Sequence, residues 1–307
     1  MWSARRNSVV VSDAVIRDRK LGFLMKHEMA VADIVLAFPP QVTTTNIVQA
    51  MESQRRIGML CSDLTMNIRP DIYAREYGEE AVAGRRFLNL GCGGYWDHPC
   101  WTGVDLEPAN GVTWNFRRME PLPIQDGAMK LVYTSHLLEH LTDAEVRFLL
   151  GDAFRCVEPG AFIRVTLPDF DLGFAAYRAG WRTFFTSVAD YAPIDTGQSV
   201  GWFFLDMYAG NLPVEDGDLA RLFSDMEPEV AMDVLRRRIE ETDLADYAGH
   251  VNWFNCDRIS RFLAEAGFVD VERSAFGQSR ALVLRDTSYF DATAPEVSVF
   301  VEARKPA

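Results

Sequence analysis

Residues 86–96 read RFLNLGCGGYW. A short run, Phe87-Leu88-Asn89-Leu90, goes directly into Gly91-Cys92-Gly93-Gly94. A mostly apolar run bounded by glycines is the pattern of a buried strand that ends in a tight turn. Glycine there permits backbone angles that other residues avoid, and it lets a ligand approach with no Cβ in the way. The next apolar run, WTGVDLE, ends on Asp105, about a dozen residues after the loop, where a carboxylate at a strand tip can accept hydrogen bonds from both hydroxyls of a ribose. A dinucleotide fingerprint would place glycine where Trp96 stands and its acid about 20 residues on, so NAD is not the expected ligand.

Working outward, MKLVYTS (129–135) reads as a third strand, and HLLEHLTDAEVRFLLGDAFRCV (136–157) as a helix. A turn at EPG (158–160) leads to a fourth strand, AFIRVTLPD (161–169). The rhythm returns in DRISRFLAEAGFVDVERSAF (257–276) and closes with EVSVFVEARK (296–305). Strands and helices that alternate with short links imply parallel βαβ units. The expected fold is therefore α/β: a Rossmann-like sheet, residues 85–170 and 250–307, with helices on both faces. Residues 171–249 interrupt the rhythm with aromatic clusters and read as a helical lid insertion. Residues 1–84 read as a helical N-terminal extension.

The stretches LNLGCGG, GVDLEP, PLPIQDGAMKLVYTSHLLEHL, CVEPGAFIRVTLPDF and LAEAGFVDVE, in this order, resemble the class I S-adenosylmethionine-dependent methyltransferases. The chain looks closest to the broad methyltransferase type 11 group, over roughly residues 85–170 and 250–305. The resemblance implies methyl transfer from S-adenosylmethionine to a small-molecule, saccharide or natural-product acceptor. It implies that Asn89, Gly91, Cys92 and Gly93 hold the methionine end, with Ser135 nearby. Asp105 would take the ribose and Leu106 would pack on the adenine. Members often show Asp-Leu-Arg-Arg before the PLP turn. This chain shows Asn115-Phe116-Arg117-Arg118, so Asn115 would meet the adenine amine through its carbonyl.

The segment His136-Leu137-Leu138-Glu139-His140 has the H-x-x-E-H order of one class of zinc peptidases. On a helix the two histidines would share a face. A peptidase needs a further ligand, and no downstream residue plainly supplies it, so no metal is expected. The ubiquinone-pathway O-methyltransferases look similar here: they carry an acid, two apolar residues and Glu-His, with a divalent cation. This chain has His136 in place of that acid. Loss of a hard oxygen ligand disfavours magnesium. The expected role of Glu139 and His140 is then capping and hydrogen bonding in the helix packing. His136 is the leading candidate base, because an imidazole titrates near pH ~6.5 and could take the proton of an acceptor hydroxyl or amine. Asp169, which could equally cap a helix, and His250, ahead of an aromatic turn, are the other catalytic candidates. Cys92, His98 and Cys100 suggest a metal cluster but fall short of a zinc ribbon in spacing and count, and the cysteines read as buried thiols.

The 307 residues carry a formal net charge of −13. The insertion supplies most of it, with 15 acidic against 6 basic residues. Such a chain is poorly suited to phosphate backbones, so no nucleic-acid partner is expected. Five scattered cysteines suit a reducing cytoplasm. The N-terminal apolar run is too short for a signal peptide, and MAVADIVLAFPP is too short to span a bilayer. No membrane partner is expected, and both a monomer and a homo-oligomer are compatible with this composition. A methyltransferase-like fold that only binds, without catalysis, is the rival from another class.

Overall fold

The computed structural model describes residues 70–186, 197–210, 212–242, 244 and 249–307. Strand β1 (Phe87–Leu90) is buried at all four positions. It lies between two parallel neighbours, β2 (Trp101–Asp105) and β4 (Met129–Ser135). With β3 (Gly111–Thr113), β5 (Val157–Pro168), β6 (Val269–Ser274) and β7 (Ser298–Arg304), they form one sheet in the order β3-β2-β1-β4-β5-β7-β6. Strand β7 runs antiparallel to both β5 and β6. The Rossmann-like sheet expected from the strand–helix alternation is present. The antiparallel β7 distinguishes it from the all-parallel dinucleotide order 3-2-1-4-5-6.

Alternation along the strands sends side chains to two apolar layers. Leu88, Leu90 and Val132 join the core beneath α3 (Asp143–Cys156) and α9 (Cys256–Glu265). Phe87, Leu131 and Tyr133 join the opposite core, with Tyr73 of α1 (Pro70–Tyr77) and Ala81 of α2 (Glu79–Ala83). Helices therefore cover both faces. The end of the proposed N-terminal extension belongs to this core, while residues 1–69 lie outside the described residues. Each fully buried Leu, Val or Phe in these layers contributes about 1.5–3 kcal/mol relative to exposure.

Two local expectations need correction. The helix anticipated from His136 begins at Asp143. Thr142 caps it: its hydroxyl accepts from Glu145 N, and the Glu145 carboxylate accepts from Thr142 N, at 2.7 Å. That reciprocal box sets the start, and Leu138–His140 is a separate 3-10 turn before it. The EPG turn lies inside β5, as an irregularity between the pairs Met129–Val157 and Leu131–Phe162.

Beyond β5 the chain builds α4 (Phe170–Arg178), α5 (Arg182–Thr186), α6 (Val200–Tyr208), α7 (Asp216–Asp225) and α8 (Pro228–Glu240). Their apolar faces share a third core around Phe185, Phe203, Phe204, Leu235 and Trp253. No helix of the described residues is long and apolar enough to cross a membrane.

His98 gives this fold a pH dependence. The buried ring accepts from Cys100 N through Nδ1, at 3.1 Å, and its Nε2 faces the Tyr73 hydroxyl at 3.3 Å. A proton on Nδ1 would oppose the Cys100 N–H. Burial, the largest influence, lowers the pKa from 6.5 to about 4. Between those values the unfolded chain binds a proton that the folded chain refuses, so stability present above pH ~6.5 falls as the pH drops towards ~4. We expect a loss on the order of 3 kcal/mol from this group, read from urea denaturation at pH 7 and pH 4.5, and a shallower pH slope in His98→Gln. An identical slope in the variant would remove His98 from the account.

Candidate functional site

Strand order reverses between β1 and β4, and open parallel sheets bind ligands beyond the carboxyl ends of their strands at such a switch point. The loop Gly91-Cys92-Gly93 leaves β1 there. Gly91 and Gly93 both have φ of +72°. A Cβ on Gly91 would lie 2.7 Å from Leu137 Cβ, whereas one on Gly93 would meet no atom within 4 Å. The first glycine thus packs the loop against the segment after β4, and the second borders open space.

Asp105, at the end of β2, holds this loop. Its Oδ2 accepts from Gly93 N at 2.8 Å, and its Oδ1 accepts from Leu106 N at 2.6 Å. Each carboxylate oxygen has a second lone pair, so a vicinal diol can still be bound. Leu106 is 57% exposed and lines a cleft of about 300 Å³ with Thr113, Trp114, Asn115, Arg118 and Glu120. Asn115 Oδ1 accepts from Arg117 N at 3.0 Å and caps the turn Phe116–Arg118, so one lone pair of its carbonyl is already engaged. Asn89 is buried just before the loop, and its Oδ1 has no hydrogen-bond donor. Ser135 Oγ accepts from Thr166 Oγ1 at 2.7 Å. The Cys92 thiol packs towards Gly103 of β2, and burial, aided by the Asp105 charge, raises its pKa to about 11. The thiol is therefore protonated at neutral pH and a poor nucleophile.

After β4, His136 takes a left-handed backbone conformation, φ +52°, unusual for a residue with a side chain and costing about 1–3 kcal/mol. Its N–H donates to Thr166 O at 3.0 Å. Its Nε2 lies 2.8 Å from Ser298 Oγ, whose own proton goes to Ala294 O, so the histidine is the donor. Its Nδ1 faces Glu139 Oε1 at 3.2 Å, outside hydrogen-bond alignment, a contact that is an ion pair only when the ring is protonated. Neither nitrogen is free to serve as a base in this arrangement.

Glu139 is 1% exposed, and neither carboxylate oxygen has a hydrogen-bond donor. Burial pushes its pKa up, but His136, and then His140 and His250, outweigh that and hold it below the ordinary carboxylate range. It therefore plays no part in capping; Thr142 does that. The segment after the insertion closes on this turn: Val251 N and Asn252 N both donate to Glu139 O, at 2.8 and 3.0 Å. That brings His250 to His140, with ring centroids 4.7 Å apart. Asp169 stands at the end of β5, where it caps α4 and pairs with Arg273 at 3.0 Å. Of the three catalytic candidates, only His250 keeps a ring nitrogen with no partner among the described residues, since its Nδ1 is held by Met207 O at 2.5 Å.

No protein-family model matches this chain, and no curated protein does. Among solved structures, it is similar to an S-adenosylmethionine-dependent methyltransferase from Archaeoglobus fulgidus at 14% identity, covering 76% of this chain and 91% of that one, with a TM-score of 0.35. A methyltransferase of the same dependence from Methanosarcina mazei gives 15% identity, coverage of 72% and 92%, and a TM-score of 0.35. A possible exported protein from Bordetella parapertussis gives 13%, 94% and 87%, with a TM-score of 0.34. At this level of likeness the fold rests on the sheet itself.

Proposed function

We propose that this chain is an S-adenosylmethionine-dependent methyltransferase that acts on an oxygen or nitrogen of a small-molecule, saccharide or natural-product acceptor. The observation that carries this reading is Asp105 bound to Gly93 N, which joins a glycine loop and a diol-binding carboxylate at the switch point. The residues present fit the cofactor. Gly91, Cys92 and Gly93 would hold its methionine end, with Ser135 beside them and the unsatisfied Asn89 Oδ1 available to a donor. Asp105 would take the ribose, and Leu106 and Asn115 would border the adenine in the cleft.

When bound, the cofactor supplies a sulfonium methyl that a nucleophile can attack. The chain's own contribution is to align the acceptor and exclude water. A hydroxyl acceptor must also lose its proton; of His136, Asp169 and His250, only His250 keeps an unengaged ring nitrogen for that, and only while no metal ion is bound to it. The formal net charge of −13 argues for a non-nucleic-acid acceptor. Free Cys92, Cys100, Cys156 and Cys256 suit a reducing cytoplasm.

The test is release of S-adenosylhomocysteine from S-adenosylmethionine across a panel of hydroxyl and amine acceptors. We expect acceptor-dependent release that Asp105→Ala abolishes. Cofactor binding with no release from any acceptor would favour the purely binding rival.

A further inference from the structure

Glu139, His140 and His250 each offer one donor atom, and these atoms all lie within 4.8 Å of one another. Glu139 comes from the 3-10 turn after β4, and His250 arrives from the far side of the helical insertion. Three observations make this more than proximity. The Glu139 carboxylate is buried, and apart from the unaligned contact of Oε1 with His136 Nδ1 at 3.2 Å neither oxygen has a hydrogen-bond donor, a state that costs free energy unless a cation or hydrogen bonds compensate it. His140 Nδ1 donates to Gly249 O at 3.2 Å, and His250 Nδ1 donates to Met207 O. A carbonyl can only accept, so each ring carries a proton on Nδ1, and in its neutral form each has its lone pair on Nε2. Holding one ring nitrogen on a backbone carbonyl is the usual way to orient a metal-ligating histidine and fix its tautomer.

We propose that Glu139, His140 and His250 form a binding site for a divalent first-row transition ion, with zinc as the reference ion. Two imidazoles and one carboxylate are a borderline donor set that prefers zinc, iron or cobalt over magnesium. Donor atoms bound to one zinc ion at about 2.0–2.1 Å sit roughly 3–3.5 Å apart, so binding draws the three side chains together by about 1 Å. Three protein ligands leave a fourth position for water or an acceptor oxygen. His136 is outside the set, because Ser298 holds its Nε2. The H-x-x-E-H pattern therefore misdirects: the second histidine ligand is His250, not His136. The ion would also tie the end of the helical insertion to the sheet. The site is independent of the cofactor assignment, since it needs neither the glycine loop nor Asp105.

The test uses the full chain, dialysed against chelator, without S-adenosylmethionine. Calorimetric titration should show one zinc per chain and no comparable magnesium binding. Glu139→Gln and His250→Ala should each weaken zinc at least tenfold, while His136→Gln stays within threefold of the parent. Co2+ titrated into the parent should give the intense visible bands of a low-coordinate site. That reading decides the matter should a variant fail to fold. Absence of one-to-one zinc binding in the parent, or only weak octahedral cobalt bands, would overturn the proposal. So would a zinc affinity lost in His136→Gln and kept in His250→Ala. Thermal shift with S-adenosylmethionine on the same sample separates failure of this site from failure of the cofactor reading.

Discussion

Asp105→Ala should lower affinity for S-adenosylmethionine by about 10²–10⁴-fold, through loss of two charge-assisted hydrogen bonds worth about 1.5–3 kcal/mol each. Its carboxylate also accepts from Gly93 N and Leu106 N, so the substitution frees the glycine loop from its anchor. The fold should survive, because the side chain lies at the end of β2 outside the three apolar cores. Asp105→Asn should fall between the two: its carboxamide oxygen can replace one acceptor but carries no charge. Calorimetry with the cofactor, together with a denaturation midpoint for each variant, checks both halves. Unchanged affinity in Asp105→Ala would mean that the ribose is held elsewhere.

The largest effect on stability is expected at Arg164. This arginine is fully buried on β5, where its guanidinium donates to both oxygens of Asp291, at 2.9 and 2.6 Å, and to Glu302 at 2.9 Å. It also donates to Gln278 O and Ala275 O. These contacts fasten the loop after β6 and strand β7 to the sheet. Arg164→Ala would strand two carboxylates without their cation, at a cost of about 3–5 kcal/mol. Urea denaturation at neutral pH measures it. The exposed pair Arg147–Glu265, 2.9 Å apart with both side chains about half exposed, is the control, and Arg147→Ala should cost less than about 1 kcal/mol. Equal losses from the two variants would contradict the role given to burial.

Much of the sheet was legible because buried parallel strands are short apolar runs between turn residues. The run MKLVYTS is β4 from end to end, and the RFLNL stretch contains β1. Strand β3 was not legible: it has three residues, none buried, and so carries no hydrophobic signal. The misplaced helix start had a readable cue, since Thr142-Asp143-Ala144-Glu145 has the spacing of a capping box. The apolar residues around HLLEH masked it by extending the helical pattern upstream.

The glycine loop and Asp105 were readable for the same local reason, being short-range features of one βαβ unit. The pairing of Glu139 with His250 was not. It depends on backbone bonds from Val251 and Asn252 across the whole helical insertion, and no periodicity encodes a contact at that separation. His136 shows the opposite failure. Its place after β4 made it a natural base, yet Ser298, on a strand at the far end of the chain, occupies its Nε2.

Calorimetric titration of the full chain with S-adenosylmethionine, and separately with NAD, tests the central claim most directly. Saturable one-to-one binding of S-adenosylmethionine with no heat from NAD is the expected result. Binding of NAD without S-adenosylmethionine would contradict it.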